Sequence, residues 1–141
     1  MAVNFGNRCV PSLLARDMRQ TLEFYTQKLG FVQTAYYPIE SDPDWTEVRR
    51  DDVAIHFYTE PLHGTKVAPT FSGTVYFYPE SVAALAEELR DKVRFEWGPE
   101  VLEYGMREFG IRDPNGYLLA FAEPAKPAEV ASNESRSGTA T

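Results

Sequence analysis

Cys9 is the only cysteine in the 141-residue chain. No intrachain disulfide can form, and thiolates cannot build a zinc cage. A lone cysteine in an apolar run is expected to be a small buried hydrophobe, here in a first strand from Cys9 to Ala15. Histidine is nearly as scarce. His56 and His63 are the only two, so any two-histidine ligand set must use both. No apolar stretch approaches the roughly 18 residues of a spanning helix. Positive charge is thin, with 14 Lys and Arg against 21 Asp and Glu and a net charge of -7. Lys and Arg never gather into a run, so the basic footprint of a nucleic-acid binder is missing. An acidic surface of this kind instead concentrates cationic ligands by long-range attraction. No Gly-rich phosphate loop or Ser/His/Asp arrangement is visible. Met1 to Gly6 lacks the charged-then-apolar layout of a signal peptide, so the cytoplasm is expected.

What the chain does have is apolar material in a repeating order. Hydrophobic residues make up 43% and aromatics 13%, enough for a sizeable core in one domain. After the first strand, Asp17 stands as a helix N-cap before Met18, Leu22, Tyr25 and Leu29, and Gly30 closes the helix. Strands are expected at Phe31 to Tyr37, Trp45 to Arg49 and Val53 to Thr59. The second half repeats the order. Thr74 to Tyr78 is a strand, and Ser81 caps a helix carrying Val82, Leu85, Ala86 and Leu89. Further strands follow at Val93 to Trp97, Arg107 to Ile111 and Tyr117 to Ala122. The offset between halves is about 64 residues, which suggests two copies of one supersecondary module. The stretch 124–141 is rich in Ala, Ser, Pro and Glu without an apolar period, so a disordered tail is expected.

Four stretches, "CVPSLLARDMRQTLEFYTQKLGF", "VRRDDVAIHF", "TVYFYPESVAALAEELR" and "YGMREFGIRDPNGYLLAFAEP", make the chain resemble the vicinal oxygen chelate superfamily. That superfamily includes glyoxalase I, extradiol dioxygenases, and fosfomycin and bleomycin resistance proteins. The resemblance runs from about Arg8 to Glu123 and is nearest to the bleomycin resistance proteins. It implies an α+β fold, one domain over 1–123. Two βαβββ modules, about 8–60 and 71–123, form curled mixed sheets around a cavity, usually in a homodimer. The metal enzymes of the superfamily carry ligands at four places, which fall here on Val10, His56, Thr74 and Ala120. Val and Ala offer no donor atom and Thr is a poor one. A catalytic site needs about three protein ligands, so no metal and no cofactor are expected.

Side chains alternate across a strand. If those four positions face the cavity, so do Ser12, Leu14, Ala54, Tyr58, Tyr76, Tyr78, Leu118 and Ala122. The opposite faces then carry Leu13, Ile55, Phe57, Val75, Phe77, Leu119 and Phe121, an apolar set suited to packing under the helices. The candidate binding residues are Trp45, His56, Tyr58, Tyr76, Tyr78, Tyr104 and Ala120. Rings with polar tips beside small alanines suit a flat heteroaromatic ligand. Trp45 and Tyr104 stand at loop–strand junctions, where they can act as lids or walls. Glu40, Asp42, Asp44 and Glu47 read as a solvated acidic loop, or as an attractor for a cation. In the bleomycin resistance proteins a Trp precedes the Gly before "REF"; Tyr104-Gly105-Met106 takes that place here with one extra residue.

The function implied by the resemblance is sequestration, without chemistry, of an aromatic, cationic antibiotic of the bleomycin type. Drug resistance would be the output, and neither nucleic acid nor membrane would be a partner. Enzyme activity stays open in this reading, which favours binding. The alternatives are a metal-dependent lyase, dioxygenase or thiol transferase of the same superfamily, or a binding protein for another natural product.

Overall fold

Two units, 1–70 and 71–141, make up the chain in a computed structural model that describes residues 2–59 and 68–130. Each unit is a βαβββ module with one four-stranded mixed sheet, so the class is α+β.

In the first unit, β1 (Ser12–Leu14) is followed by α1 (Met18–Glu23), β2 (Val32–Tyr37), β3 (Trp45–Arg50) and β4 (Val53–Tyr58). The sheet order is β1-β4-β3-β2, with only the β1–β4 pair parallel. Asp17 caps α1, accepting from the Gln20 amide at 3.1 Å. After Glu23 the helix widens into a π segment, Phe24–Lys28. Thr21, Phe24, Tyr25 and Leu29 are buried, while the expected Leu22 is only half-buried. Gly30 follows at φ +74, and Arg50 Nη1 donates to the Leu29 carbonyl at 2.9 Å. The core is aromatic. Tyr25 is fully buried and meets Phe24, Phe31 and Phe57 with ring centroids 5.4, 5.6 and 4.8 Å away. Phe57 therefore lies on the helix side of β4, as alternation requires, and His56 on the other.

The expectation for Cys9 fails. It is exposed, because the strand begins only at Ser12 and the segment before it has little sheet pairing. One ladder bond reaches back to it, from the His56 amide to the Pro11 carbonyl at 2.9 Å.

In the second unit, β5 (Thr74–Phe77), α2 (Val82–Leu89), β6 (Trp97–Val101), β7 (Met106–Arg112) and β8 (Leu118–Pro124) give the order β5-β8-β7-β6. Ser81 caps α2, accepting from the Ala84 amide at 3.1 Å. Val82, Ala86 and Leu89 face the sheet. On that side four rings form a continuous stack, Phe95–Phe109–Phe121–Phe77, with centroid spacings of 4.6, 4.9 and 5.0 Å. The turn between β7 and β8 is tied by Asp113, whose Oδ1 accepts from the Asn115 and Tyr117 amides, both at 2.9 Å.

The strand expected at Val93 to Trp97 is displaced. Residues 93–96 are irregular, and β6 starts at Trp97 and runs through Gly98 and Pro99. Gly-Pro reads as a strand terminator. An edge strand tolerates it because one side of its ladder is open, and the register with β7 shifts between Trp97 and Glu100. Within the stretch expected to be a tail, β8 continues to Pro124 and residues 127–130 make a helical turn, tied by an Arg107–Glu129 ion pair. The remainder, 131–141, lies outside the described residues, as does His63. No helix among the described residues is long and apolar enough to cross a membrane.

Candidate functional site

The first unit gathers a polar cluster on the sheet face opposite its helix. Antiparallel register sets Glu47 on β3 opposite His56 on β4, and Trp45 opposite Tyr58. Glu47 is buried and fully engaged. Oε2 accepts from Arg8 Nη2 at 2.6 Å and from His56 Nε2 at 2.7 Å. Oε1 accepts from Thr34 Oγ1 at 2.9 Å and from Arg49 Nε at 3.0 Å. These partners hold its carboxyl well below the usual value of 4.5, at about 2. The His56 hydrogen bond is the largest cause; desolvation opposes it, and Thr34 and Arg49 add to it. Because the carboxylate can only accept, His56 Nε2 carries the proton in that bond. The Trp45 ring meets the imidazole edge-on, 5.0 Å between centroids.

This arrangement predicts an acid limb in stability. A folded value below the unfolded one gives stabilisation that is complete above 4.5 and disappears as pH falls toward 2. The window is therefore about pH 4.5 to 2, and the loss about 3 kcal/mol, at roughly 1.4 kcal/mol per pH unit. Urea unfolding at a series of pH values should show this slope, and Glu47→Gln should flatten it.

The second unit carries a different cluster on the corresponding face. Tyr76 and Tyr78 stack with centroids 6.2 Å apart and 20° between planes, and are 42% and 69% exposed. Tyr76 pairs in register with Ala120, which also pairs with Gly110. Gly110 pairs in turn with Trp97. The missing side chain at Gly110 makes room for the Trp97 indole: a Cβ there would stand 2.1 Å from Trp97 Cη2 and Cζ3. Two residues along β7, Glu108 is 2% exposed. Its Oε1 accepts two long hydrogen bonds, from Trp97 Nε1 at 3.3 Å and Tyr76 Oη at 3.4 Å. Tyr104 lies on the turn before β7. Although the residue is 62% exposed, its phenol is pushed upward, by desolvation first and then by Glu108 and Tyr76. The hydroxyl end is thus turned toward the carboxylate while the ring flank stays open.

The candidate residues fall into two groups. Trp45, His56 and Tyr58 share one face of the first sheet. Tyr76, Tyr78 and Tyr104 surround the same part of the second, with Ala120 fully buried beneath them. Glu108, Trp97 and Gly110 are absent from the candidate list. Alternation along Arg107-Glu108-Phe109-Gly110-Ile111 signals the first and third, since it sets Glu108 and Gly110 opposite the apolar Phe109 and Ile111. Glu47 separates from the acidic loop it was grouped with: Glu40, Asp42 and Asp44 are exposed, whereas Glu47 is buried on β3. Among the described residues no three His, Cys, Asp or Glu side chains come together to hold a metal ion. Of the four ligand positions implied by resemblance, only His56 has a good donor, and its Nε2 is committed to Glu47. This donor set does not fit a catalytic metal.

The family model for the glyoxalase/bleomycin resistance protein/dioxygenase superfamily matches residues 7–121. Protein YetH of Bacillus subtilis (strain 168) is 24% identical over 110 residues, covering 77% of this chain and 92% of its own. Among solved structures, TnmS3, an antibiotic binding protein from Streptomyces sp. CB03234, aligns with a TM-score of 0.68 at 21% identity. The alignment covers 89% of this chain and 99% of that one. The bleomycin-binding protein of bleomycin-producing Streptomyces verticillus, complexed with copper(II)-bleomycin, aligns with a TM-score of 0.60 at 24% identity. It covers the same shares, 89% and 99%.

Proposed function

Because the chain belongs to the glyoxalase/bleomycin resistance protein/dioxygenase superfamily, we propose that it is a binding member of it. Its work is to sequester an aromatic, cationic antibiotic of the bleomycin type, as a homodimer and without chemistry. The observation that carries this reading is the pair of stacked, exposed tyrosines, Tyr76 and Tyr78, beside a buried carboxylate. Exposed rings held nearly parallel at the end of a strand offer stacking surface at little entropic cost. Each such contact with a planar group is worth about 1–3 kcal/mol, by analogy with bases on aromatic platforms. The small Ala120 leaves depth next to Tyr76. Sequestration needs affinity and stoichiometry rather than a nucleophile or metal, which agrees with the donor set. The antibiotic-binding proteins of similar fold lend it further support.

The test is calorimetric titration with bleomycin and with thiazole- and quinoline-containing cations, with light scattering to read the mass against the 16.0 kDa chain. Binding tighter than about 1 mM is expected. At 100 times the dissociation constant, ligand should add about 2.7 kcal/mol of stability. Tyr104→Ala and Trp45→Ala should weaken binding without unfolding the chain. Affinity should also fall with salt, as the -7 charge is screened. If no compound binds below the millimolar range and neither substitution has an effect, sequestration is refuted.

A further inference from the structure

On the face away from its helix each sheet carries one buried acid, Glu47 or Glu108, and the two are treated very differently. Glu47 is answered by two guanidinium groups, an imidazole and a hydroxyl. Glu108 is more deeply buried, and no such set answers it. The hydrogen bonds from Tyr76 and Trp97 are long and both end on Oε1, and the Tyr104 hydroxyl is a third neutral group turned toward the carboxylate. Oε2 is buried and has no hydrogen-bond partner among the described residues. Its register neighbours are Ala122 on β8 and Glu100 on β6, one without a donor and the other a second acid. The adjacent Arg107 pairs with Glu123 and Glu129 instead.

A buried acceptor without a donor costs on the order of 1–3 kcal/mol, more when charged. Buried polar atoms are satisfied in the great majority of cases, so an exception needs a cause. The surroundings indicate one. Trp97, Tyr76 and Tyr104 turn their polar tips to the carboxylate, and the two tyrosines reach the exterior. Aromatic faces attract an organic cation through their quadrupoles, and a carboxylate oxygen accepts its N–H at roughly twice the strength of a neutral bond. Among the described residues no group supplies that N–H to Oε2.

Resting on the small-molecule reading above, we propose that Glu108 is the counter-ion of the bound ligand. Its Oε2 accepts from a cationic N–H of an amidinium, guanidinium or protonated amine, attached to a planar group that lies against Trp97, Tyr76 and Tyr104. The ligand class is thereby narrowed from aromatic and cationic to aromatic with a terminal N–H cation. Tyr104 is the entrance. It sits on a tight turn in which the Gly105 amide donates to the Leu102 carbonyl at 2.9 Å, and its ring is the most open of the three.

Benzamidine and benzamide form the probe pair, equal in shape and different in charge. Two-dimensional NMR titration of the full chain reads weak binding and locates it by the Trp97 indole N–H signal. Benzamidine should shift that signal and bind at least about 10-fold more tightly than benzamide, a difference of about 1.4 kcal/mol. Glu108→Gln should abolish the preference and leave benzamide unchanged. Glu87→Gln, which removes one exposed charge from α2, should preserve it. Glu108→Gln should also melt at or above the wild-type temperature without ligand, because it removes a buried charge held for binding. An acid kept for structure gives the reverse, a lower melting temperature with benzamidine affinity intact, and that result overturns the proposal. Equal binding of both probes to wild type and Glu108→Gln overturns it while leaving the small-molecule reading standing. If bleomycin, the heteroaromatic panel and both probes all fail to bind wild type, both fall.

Discussion

Phe57→Ala should lower the unfolding free energy by about 3–5 kcal/mol, the usual cost of removing a fully buried aromatic. Phe57 has no exposed surface and packs against Tyr25, 4.8 Å between centroids, where Tyr25 also meets Phe24 and Phe31. Truncation leaves a cavity against the Tyr25 ring of the π segment, which Phe24 and Phe31 hold in place, and stiff side chains of that kind collapse poorly into a void. Trp45 is the internal comparison. It is of similar bulk but half-buried at the start of β3, with His56 as its ring neighbour, so Trp45→Ala should cost much less. Urea unfolding of both variants at neutral pH measures the difference. Equal losses would mean that the two faces of the first sheet are not the packing face and the open face described above.

That division of faces was readable from the sequence because it depends on one strand at a time. Alternation alone sends Ile55 and Phe57 to one side and His56 to the other, and Leu119 and Phe121 opposite Ala120. The repeat was readable for the same reason. The pair Ser12–His56 recurs as Tyr76–Ala120, 64 positions on in both strands. The caps Asp17 and Ser81 carry a short-range signal, a side-chain oxygen three residues ahead of an amide, and both act as expected.

What was hidden lies between strands. Glu47 meets His56, and Trp97 meets Gly110, only through cross-strand register, which no single strand's pattern states. The register also shows how the halves diverged. Glu47–His56 in the first unit corresponds to Gly110–Ala120 in the second, and Trp45–Tyr58 to Glu108–Ala122. The second unit thus has a glycine where the first has its acid, and an acid where the first has its tryptophan. The vacated place holds the Trp97 indole, carried by a strand whose Gly98-Pro99 disguises it. Three-residue β1 and the π segment were misjudged for a related cause: apolar composition continues past the point where hydrogen bonding changes.

Gly98→Ala should damage the second unit most, by about 2–6 kcal/mol. Gly98 lies on β6 at φ +74, and a Cβ there would stand 2.2 Å from the Glu108 carbonyl oxygen and 3.1 Å from Phe109 Cα. Both obstacles are backbone, so no side-chain rotation relieves them. Left-handed strain contributes about 1–3 kcal/mol, and forcing two strands apart roughly another 1–3 kcal/mol. Gly116→Ala separates these costs. Gly116 has φ +87 but no atom of the described residues within 4 Å of an added Cβ, so it should carry the strain without the clash. The excess loss in Gly98→Ala is then the price of moving β6 off β7. That movement should also take Trp97 away from Glu108, because the 3.3 Å bond and the 2.7 Å bond from the Glu96 amide to the Gly110 carbonyl flank the displaced point. Near-ultraviolet circular dichroism should show an altered tryptophan signal in Gly98→Ala alone. Benzamidine affinity should fall with it while Glu108 itself remains in the chain. A Gly98→Ala protein with wild-type stability and an unchanged tryptophan spectrum would mean that β6 does not press on β7 at Glu108, and that Trp97 is held there by something else.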